Sequence, residues 1–261
     1  MIDFSLLNAL TVFVAGLCIG SFLNVCIYRI PEGMSVVSPS SSCPACGHNI
    51  RWFENIPVLS YLFLKGRCGS CGAGISMQYP LVELLTALLL TLLFLKTGIG
   101  ILFVIYALFT SSLIVITFID LRLQIIPDII SLPGIVAGFL FSFLPGGIGW
   151  LDSFIGILAG GGVLYLVAWG YFTLTKRDGM GGGDIKLLGM IGAFLGWQSI
   201  PFVIFVSAAA GALVGITFML IHGKDMKFAI PFGPFLSGAA VCYIFFGKEV
   251  TEWYISISTI H

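Results

Sequence analysis

Eight apolar stretches follow one another along this chain, at about residues 5–27, 80–96, 99–119, 129–144, 153–175, 185–197, 200–222 and 230–247. They constrain the fold more than any motif does. Backbone N–H and C=O groups surrounded by lipid must be satisfied within their own segment, so apolar runs of this length span as helices. Charged residues make up only 9% of the sequence and hydrophobic ones 58%, whereas soluble domains carry roughly 25% charge. The expected fold class is an all-α polytopic membrane protein of about eight transmembrane helices, with one small polar domain between the first and second. The bilayer is the expected environment, and a net charge of zero argues against nucleic acid as a partner.

A span needs about 20 residues, and the fourth and sixth stretches are short by that standard. In the sixth, Gly189, Gly192 and Gly196 suit either a re-entrant segment or, with Ala193, a close approach of neighbouring helices. Basic residues set the expected orientation. With the N-terminus outside and eight spans, Arg29, Arg51, Lys65, Arg67, Arg122, Lys176, Arg177, Lys186, Lys224 and Lys227 fall inside, and only Lys96 and Lys248 outside. Both termini are then outside. The first stretch lacks a basic start and a small-residue exit, so it reads as a retained helix rather than a cleaved signal.

Residues 28–79 form the one long polar segment. The expected division is therefore a first helix over 1–27, a cytoplasmic tetracysteine domain over 28–79 and a seven-helix membrane domain over 80–261. The polar segment carries Cys43-Pro-Ala-Cys46 and Cys68-Gly-Ser-Cys71, two Cys-x-x-Cys knuckles with zinc-ribbon spacing, flanked by Gly47, Gly69 and Gly72. Four thiolates close the coordination of a zinc ion and leave no position for water, which makes the expected metal structural. Disulfides are the alternative, disfavoured on the cytosolic side; iron or a redox role is another. His48 reads as a solvated or supporting neighbour of the site. Cys18, Cys26 and Cys242 stand singly in apolar stretches and read as small hydrophobes.

Ionisable groups at membrane depth are costly and by default mark function. Of seven aspartates, five have ordinary readings. Asp3 is terminal, Asp178 and Asp225 sit beside Arg177 and Lys224, and Asp128 and Asp152 precede apolar runs as expected N-caps, with Asp128, eight residues after Asp120, also a candidate to reach the same site. Asp120 closes the third stretch at the unfavourable end of a helix dipole. Asp184 opens the sixth after Gly181-Gly182-Gly183, glycines that let backbone or substrate approach closely. Two such acids on one face can share a proton, one activating water and the other polarising a carbonyl. The dipole argument assigns Asp184 the base and Asp120 the acid. Glu83, near the start of the second stretch, reads either as a hydrated interfacial acid or as a partner for a cationic group. Asn24 either bonds a neighbouring helix or lines a site.

Taken in order, these features resemble the type IV prepilin peptidases, bifunctional leader peptidases and N-methyltransferases of pilus and type II secretion systems, within the GxGD aspartyl proteases. The resemblance covers nearly the whole chain. It is carried by Gly20-Ser-Phe-Leu-Asn-Val25, Tyr28-Arg-Ile-Pro31, both cysteine knuckles, Asn55-Ile-Pro-Val-Leu-Ser-Tyr61, Tyr79-Pro-Leu-Val-Glu83, Asp120-Leu-Arg122, Ile126-Pro-Asp128 and Gly181-Gly-Gly-Asp184. It implies Asp120 and Asp184 as the catalytic pair, prepilins and pseudopilins as substrates, and a bacterial inner-membrane location with cleavage after a glycine at the cytoplasmic face. It further implies methylation of the new N-terminus, usually phenylalanine, by S-adenosylmethionine. No Rossmann fingerprint marks a methyl-donor site; Glu83, Asn24 and Arg29 are the expected cofactor-binding residues. Rival readings are a peptidase without methyl transfer, a zinc-ribbon membrane scaffold, and a proton-coupled transporter, which would call for internal repeats that this chain lacks.

Overall fold

The computed structural model describes residues 4–176, 181–222 and 230–258. Asp3, Arg177, Asp178, Lys224, Asp225 and Lys227 lie outside the described residues, as does the side chain of Lys248. Eight long helices account for most of the chain: α1 (Phe4–Arg29), α3 (Gln78–Thr97), α4 (Ile101–Leu123), α5 (Asp128–Phe141), α6 (Trp150–Thr175), α7 (Gly182–Leu195), α8 (Ser199–His222) and α9 (Gly233–Ser258). A short α2 (Leu59–Phe63) lies between α1 and α3. No strand occurs among the described residues, only two isolated bridges.

Five helices are long and apolar enough to cross a membrane, namely α1, α3, α4, α6 and α8. The protein is thus an all-α, multi-pass membrane protein. α5 and α7 have 14 residues each, about 21 Å at 1.5 Å per residue. That is shorter than the roughly 30 Å thickness of a bilayer core.

The chain divides into two compact units, one ending at Val115 and the other beginning at Ile116. In the first, α1 and α3 pack antiparallel along a seam of small residues. A Cβ added to Gly16 would sit 2.6 Å from the Cα of Ala87, and one added to Gly20 would sit 2.6 Å from the Cα of Glu83. Each four-residue step along α1 is matched by a four-residue step back along α3. The backbones therefore touch, which in lipid replaces the missing hydrophobic driving force between helices.

In the second unit α7 is the centre, packed on α5, α6, α8 and α9. Leu187 to Leu195 are all buried. Gly156 and Gly160 of α6 meet the carbonyls of Gly192 and Leu188, and Ser153 Oγ donates to the Ala193 carbonyl at 2.8 Å. Of the glycines in the sixth apolar stretch, Gly192 thus serves close helix approach, while Gly196 ends α7 at φ +79°. α5 runs parallel to α7, with Gly134 against Met190 and Gly138 against Ala193 and Phe194. α6 runs antiparallel to both.

Two expected caps are corrected. α5 is capped by Pro127 and α6 by Gly149, so Asp128 and Asp152 lie inside the first turns. Both are drawn off by distant partners. Lys186 Nζ donates to both oxygens of Asp128 at 2.6 and 2.8 Å, and the Trp197 indole N–H donates to Asp152 Oδ1 at 3.0 Å.

Candidate active site and metal centre

Asp120 lies in the last turn of α4 and is 5% exposed. The helix stops because Gln124 turns to φ +56°, and Pro127, lacking an N–H, then starts the next helix rather than extending this one. α5 begins at the membrane face where α4 ends. Since α7 is parallel to α5 and bound to it through Lys186–Asp128, Asp184 returns to that same face. It sits in the first turn of α7, capped by Gly181, with its N–H donating to the Gly181 carbonyl at 3.2 Å. The two carboxylates are close enough to repel each other.

Ile126 explains why Gly183, the last residue before Asp184, is glycine. A Cβ on Gly183 would lie 2.9 Å from Ile126 Cβ, and one on Gly233 would lie 3.4 Å from Ile126 Cδ1. Ile126 is thus wedged between the turn that carries Asp184 and the start of α9. On the far side, the Gly233 N–H donates to Asp120 Oδ2 at 2.9 Å. This donor was not anticipated from sequence. The signal for it was Pro231-Phe232-Gly233-Pro234, a helix-breaking run inside an apolar stretch. A cavity of about 440 Å³ opens beside the pair, lined by residues flanking Asp120 and Gly233, among them Leu121, Val214, Phe218, Ile230, Pro231 and Phe235. Its walls are mostly apolar, with Arg122 and Gln124 adding polar groups, and the carboxylates themselves are not among its lining. Such a constellation can hold a water between two acids, with one oxygen fixed by a backbone donor.

The four knuckle cysteines gather in the first unit, every sulfur within 4.8 Å of the others. Cys43 and Cys71 Sγ are 3.9 Å apart, against about 3.8 Å for two ligands of a tetrahedral ion with 2.3 Å metal–sulfur bonds. The knuckles are built alike. Gly47 N–H donates to the Cys43 carbonyl and Gly72 N–H to the Cys68 carbonyl, at 2.8 and 2.9 Å. Both glycines adopt left-handed φ, +70° and +74°, and each knuckle is closed by a bridge, Ser42 to Asn49 and Arg67 to Gly74. Backbone N–H groups of Cys71 and Ser70 pull the Cys68 thiol down to about 6. At Cys46 the His48 backbone pulls downward, but hydrogen bonding with Cys71 and the other sulfurs prevails and holds the thiol at about 11. Sulfurs this close ionise one at a time until a cation compensates them. The arrangement is compatible with one structural zinc ion.

His48 does not join the cluster. Its Nε2 lies 3.1 Å from Glu54 Oε2. Glu54 also accepts the Arg51 N–H at 2.9 Å and packs against Gly69, so one carboxylate touches residues from both knuckles. The Arg51 backbone donor, then His48, holds Glu54 below the usual carboxylate range.

Glu83, Asn24 and Arg29 occupy the α1/α3 seam and its end. Glu83 is 6% exposed, and its Oε2 accepts the Val58 N–H at 2.7 Å. Asn24 Nδ2 donates to the Tyr79 carbonyl at 3.1 Å, while its Oδ1 is buried without a partner among the described residues. Arg29 donates to the Ser35 and Pro39 carbonyls at 2.9 and 2.7 Å, which fixes the loop after α1.

Comparison with known proteins identifies the family. Residues 14–97 match the Bacterial Peptidase A24 N-terminal domain, and residues 107–216 match the Type IV leader peptidase family. A prepilin leader peptidase/N-methyltransferase of Aeromonas salmonicida is 42% identical, over 94% of this chain and 93% of its own. Proteins of the same name from Pseudomonas putida and Pseudomonas aeruginosa are 37% and 36% identical, covering 91% and 93% of this chain and 90% and 92% of their own. No solved structure matches. The chain belongs to the type IV leader peptidase family.

Proposed function

We propose that this protein cleaves the leader from prepilins and pseudopilins at the cytoplasmic face of the bacterial inner membrane, and then methylates the exposed α-amine. The observation that carries the reading is the approach of Asp120 and Asp184 at one end of the second unit, between glycine backbones. The names of the relatives supply the substrate and the second reaction. The excess of basic residues in the loops on that side supports the orientation, with both termini outside.

One carboxylate takes a proton from water as the oxygen attacks the scissile carbonyl, while the other, protonated, donates to the carbonyl oxygen. Collapse of the tetrahedral centre breaks the C–N bond, and the proton taken from water passes to the leaving amine. The Gly233 N–H keeps Asp120 in place through the cycle. The apolar cavity beside Asp120 suits the substrate's hydrophobic helix. Cys43, Cys46, Cys68 and Cys71 would hold zinc in the segment between α1 and α3, where four thiolates would give it a structural role.

S-adenosylmethionine supplies the methyl group. The groups suited to recognise its cationic sulfonium, or the substrate amine, are Glu83, a buried carboxylate, and Asn24 Oδ1, a buried acceptor. Arg29 serves that site by holding the adjoining loop. The test is incubation of the purified protein with a prepilin and S-adenosylmethionine, with the product N-terminus read by mass spectrometry. A cleaved and methylated product is expected. Cleavage without a methyl group would leave a peptidase alone, and an intact prepilin would refute the reading.

A further inference from the structure

We infer that residues 51–67 form an amphipathic foot that lies in the anionic headgroup layer of the bilayer, beside the ends of α1 and α3. Two unlike faces carry the inference. On α2, Leu59, Leu62 and Phe63 follow the i, i+3, i+4 spacing of one helical face, and all are exposed, Phe63 at 83%. Trp52, Phe53 and Ile56 extend this apolar strip, Trp52 at 81% exposed. The opposite side is committed to protein, since the Tyr61 hydroxyl meets Met77 Sδ at 2.9 Å and the Ile75 carbonyl at 3.3 Å. Six large apolar side chains exposed on one folded segment mark a surface that is covered.

Depth and charge identify what covers it. The Val58 N–H reaches Glu83, five residues into α3, about 7 Å below that helix's start at 1.5 Å per residue. Interfacial helices seat their apolar face about 5–10 Å into the headgroup boundary. On α3, too, Leu81, Leu84 and Leu88 are exposed. Arg51, Lys65 and Arg67 flank the strip and are exposed, while Glu54, the one acid between residues 33 and 77, is turned inward to His48. Aromatic and leucine side chains below with basic groups at the rim are the arrangement that anionic lipid recognises. The inference does not depend on the reaction proposed above.

Two measurements test it on the full chain in vesicles. With Trp150, Trp169, Trp197 and Trp253 changed to phenylalanine, Trp52 fluorescence should be quenched by phospholipids brominated near the top of the acyl chain. Aqueous iodide should quench it weakly. Strong iodide quenching with no effect of bromolipid would overturn the inference. In an otherwise unmodified chain, Phe63→p-benzoylphenylalanine should photocrosslink to phospholipid, more in vesicles containing phosphatidylglycerol than in neutral ones. Adducts only to a second copy of the chain or to a prepilin, or no lipid adduct at all, would equally overturn it.

Discussion

The Gly233 backbone N–H donates to Asp120 Oδ2 across 113 positions of sequence. The contact ties the start of α9 to the end of α4, and only glycine permits it. A Cβ at 233 would lie 2.6 Å from that same carboxylate oxygen.

Gly233→Ala should therefore push the Asp120 carboxylate aside without disturbing the rest of the bundle. Displacing a reacting group by about 1 Å costs on the order of 100-fold in rate. Prepilin cleavage by Gly233→Ala should fall by about that factor, with melting temperature and zinc content near the wild type. Activity above half of wild type would show that Asp120 is not held through this contact.

Gly192→Ala tests packing rather than chemistry. Its added Cβ would collide with the Gly156 carbonyl across the α6/α7 contact, and overpacking costs about 1–3 kcal/mol. The thermal transition in detergent should fall clearly. Gly162→Ala, on the same α6 but with open space around it, should leave stability unchanged or slightly raised.

Cys46→Ser removes one of four clustered sulfurs. Zinc measured by atomic absorption should be lost on mild chelation, and hydrogen exchange across residues 42–74 should accelerate. Retention of the full zinc content would contradict a four-thiolate site.

Glu54 gives a pH signature. The Arg51 N–H and then His48 lower its pKa from 4.5. A group whose folded pKa is depressed stabilises above its unfolded value, and that stabilisation is lost as pH falls through the folded one. The difference in stability between wild type and Glu54→Gln should be constant above pH 4.5 and shrink below it. Thermal unfolding of the metal-loaded protein across pH 3.5–7 measures this, and a difference that grows on acidification would contradict the assignment.

Much of the architecture was legible in the sequence because lipid imposes one rule on every apolar run. The eight stretches predicted from hydropathy coincide with α1 and α3–α9. The cysteine knuckles were legible because metal ligation fixes local spacing. What escaped was set by distant partners. Asp128 and Asp152 read as caps because nothing local announces Lys186, 58 positions away, or Trp197, 45 away. Gly233 escaped because a main-chain donor leaves no side-chain signature. The tight packing of α7 rests on Gly156 of another helix, against which Gly192 fits.

In the proposed mechanism Asp120 and Asp184 together hydrolyse the leader bond. The most direct test compares prepilin cleavage by wild type, Asp120→Asn and Asp184→Asn in the same detergent, with folding checked by melting temperature and zinc content. Both variants should fold, bind zinc and leave the prepilin uncut. Cleavage by either folded variant at a rate near the wild type would contradict the claim.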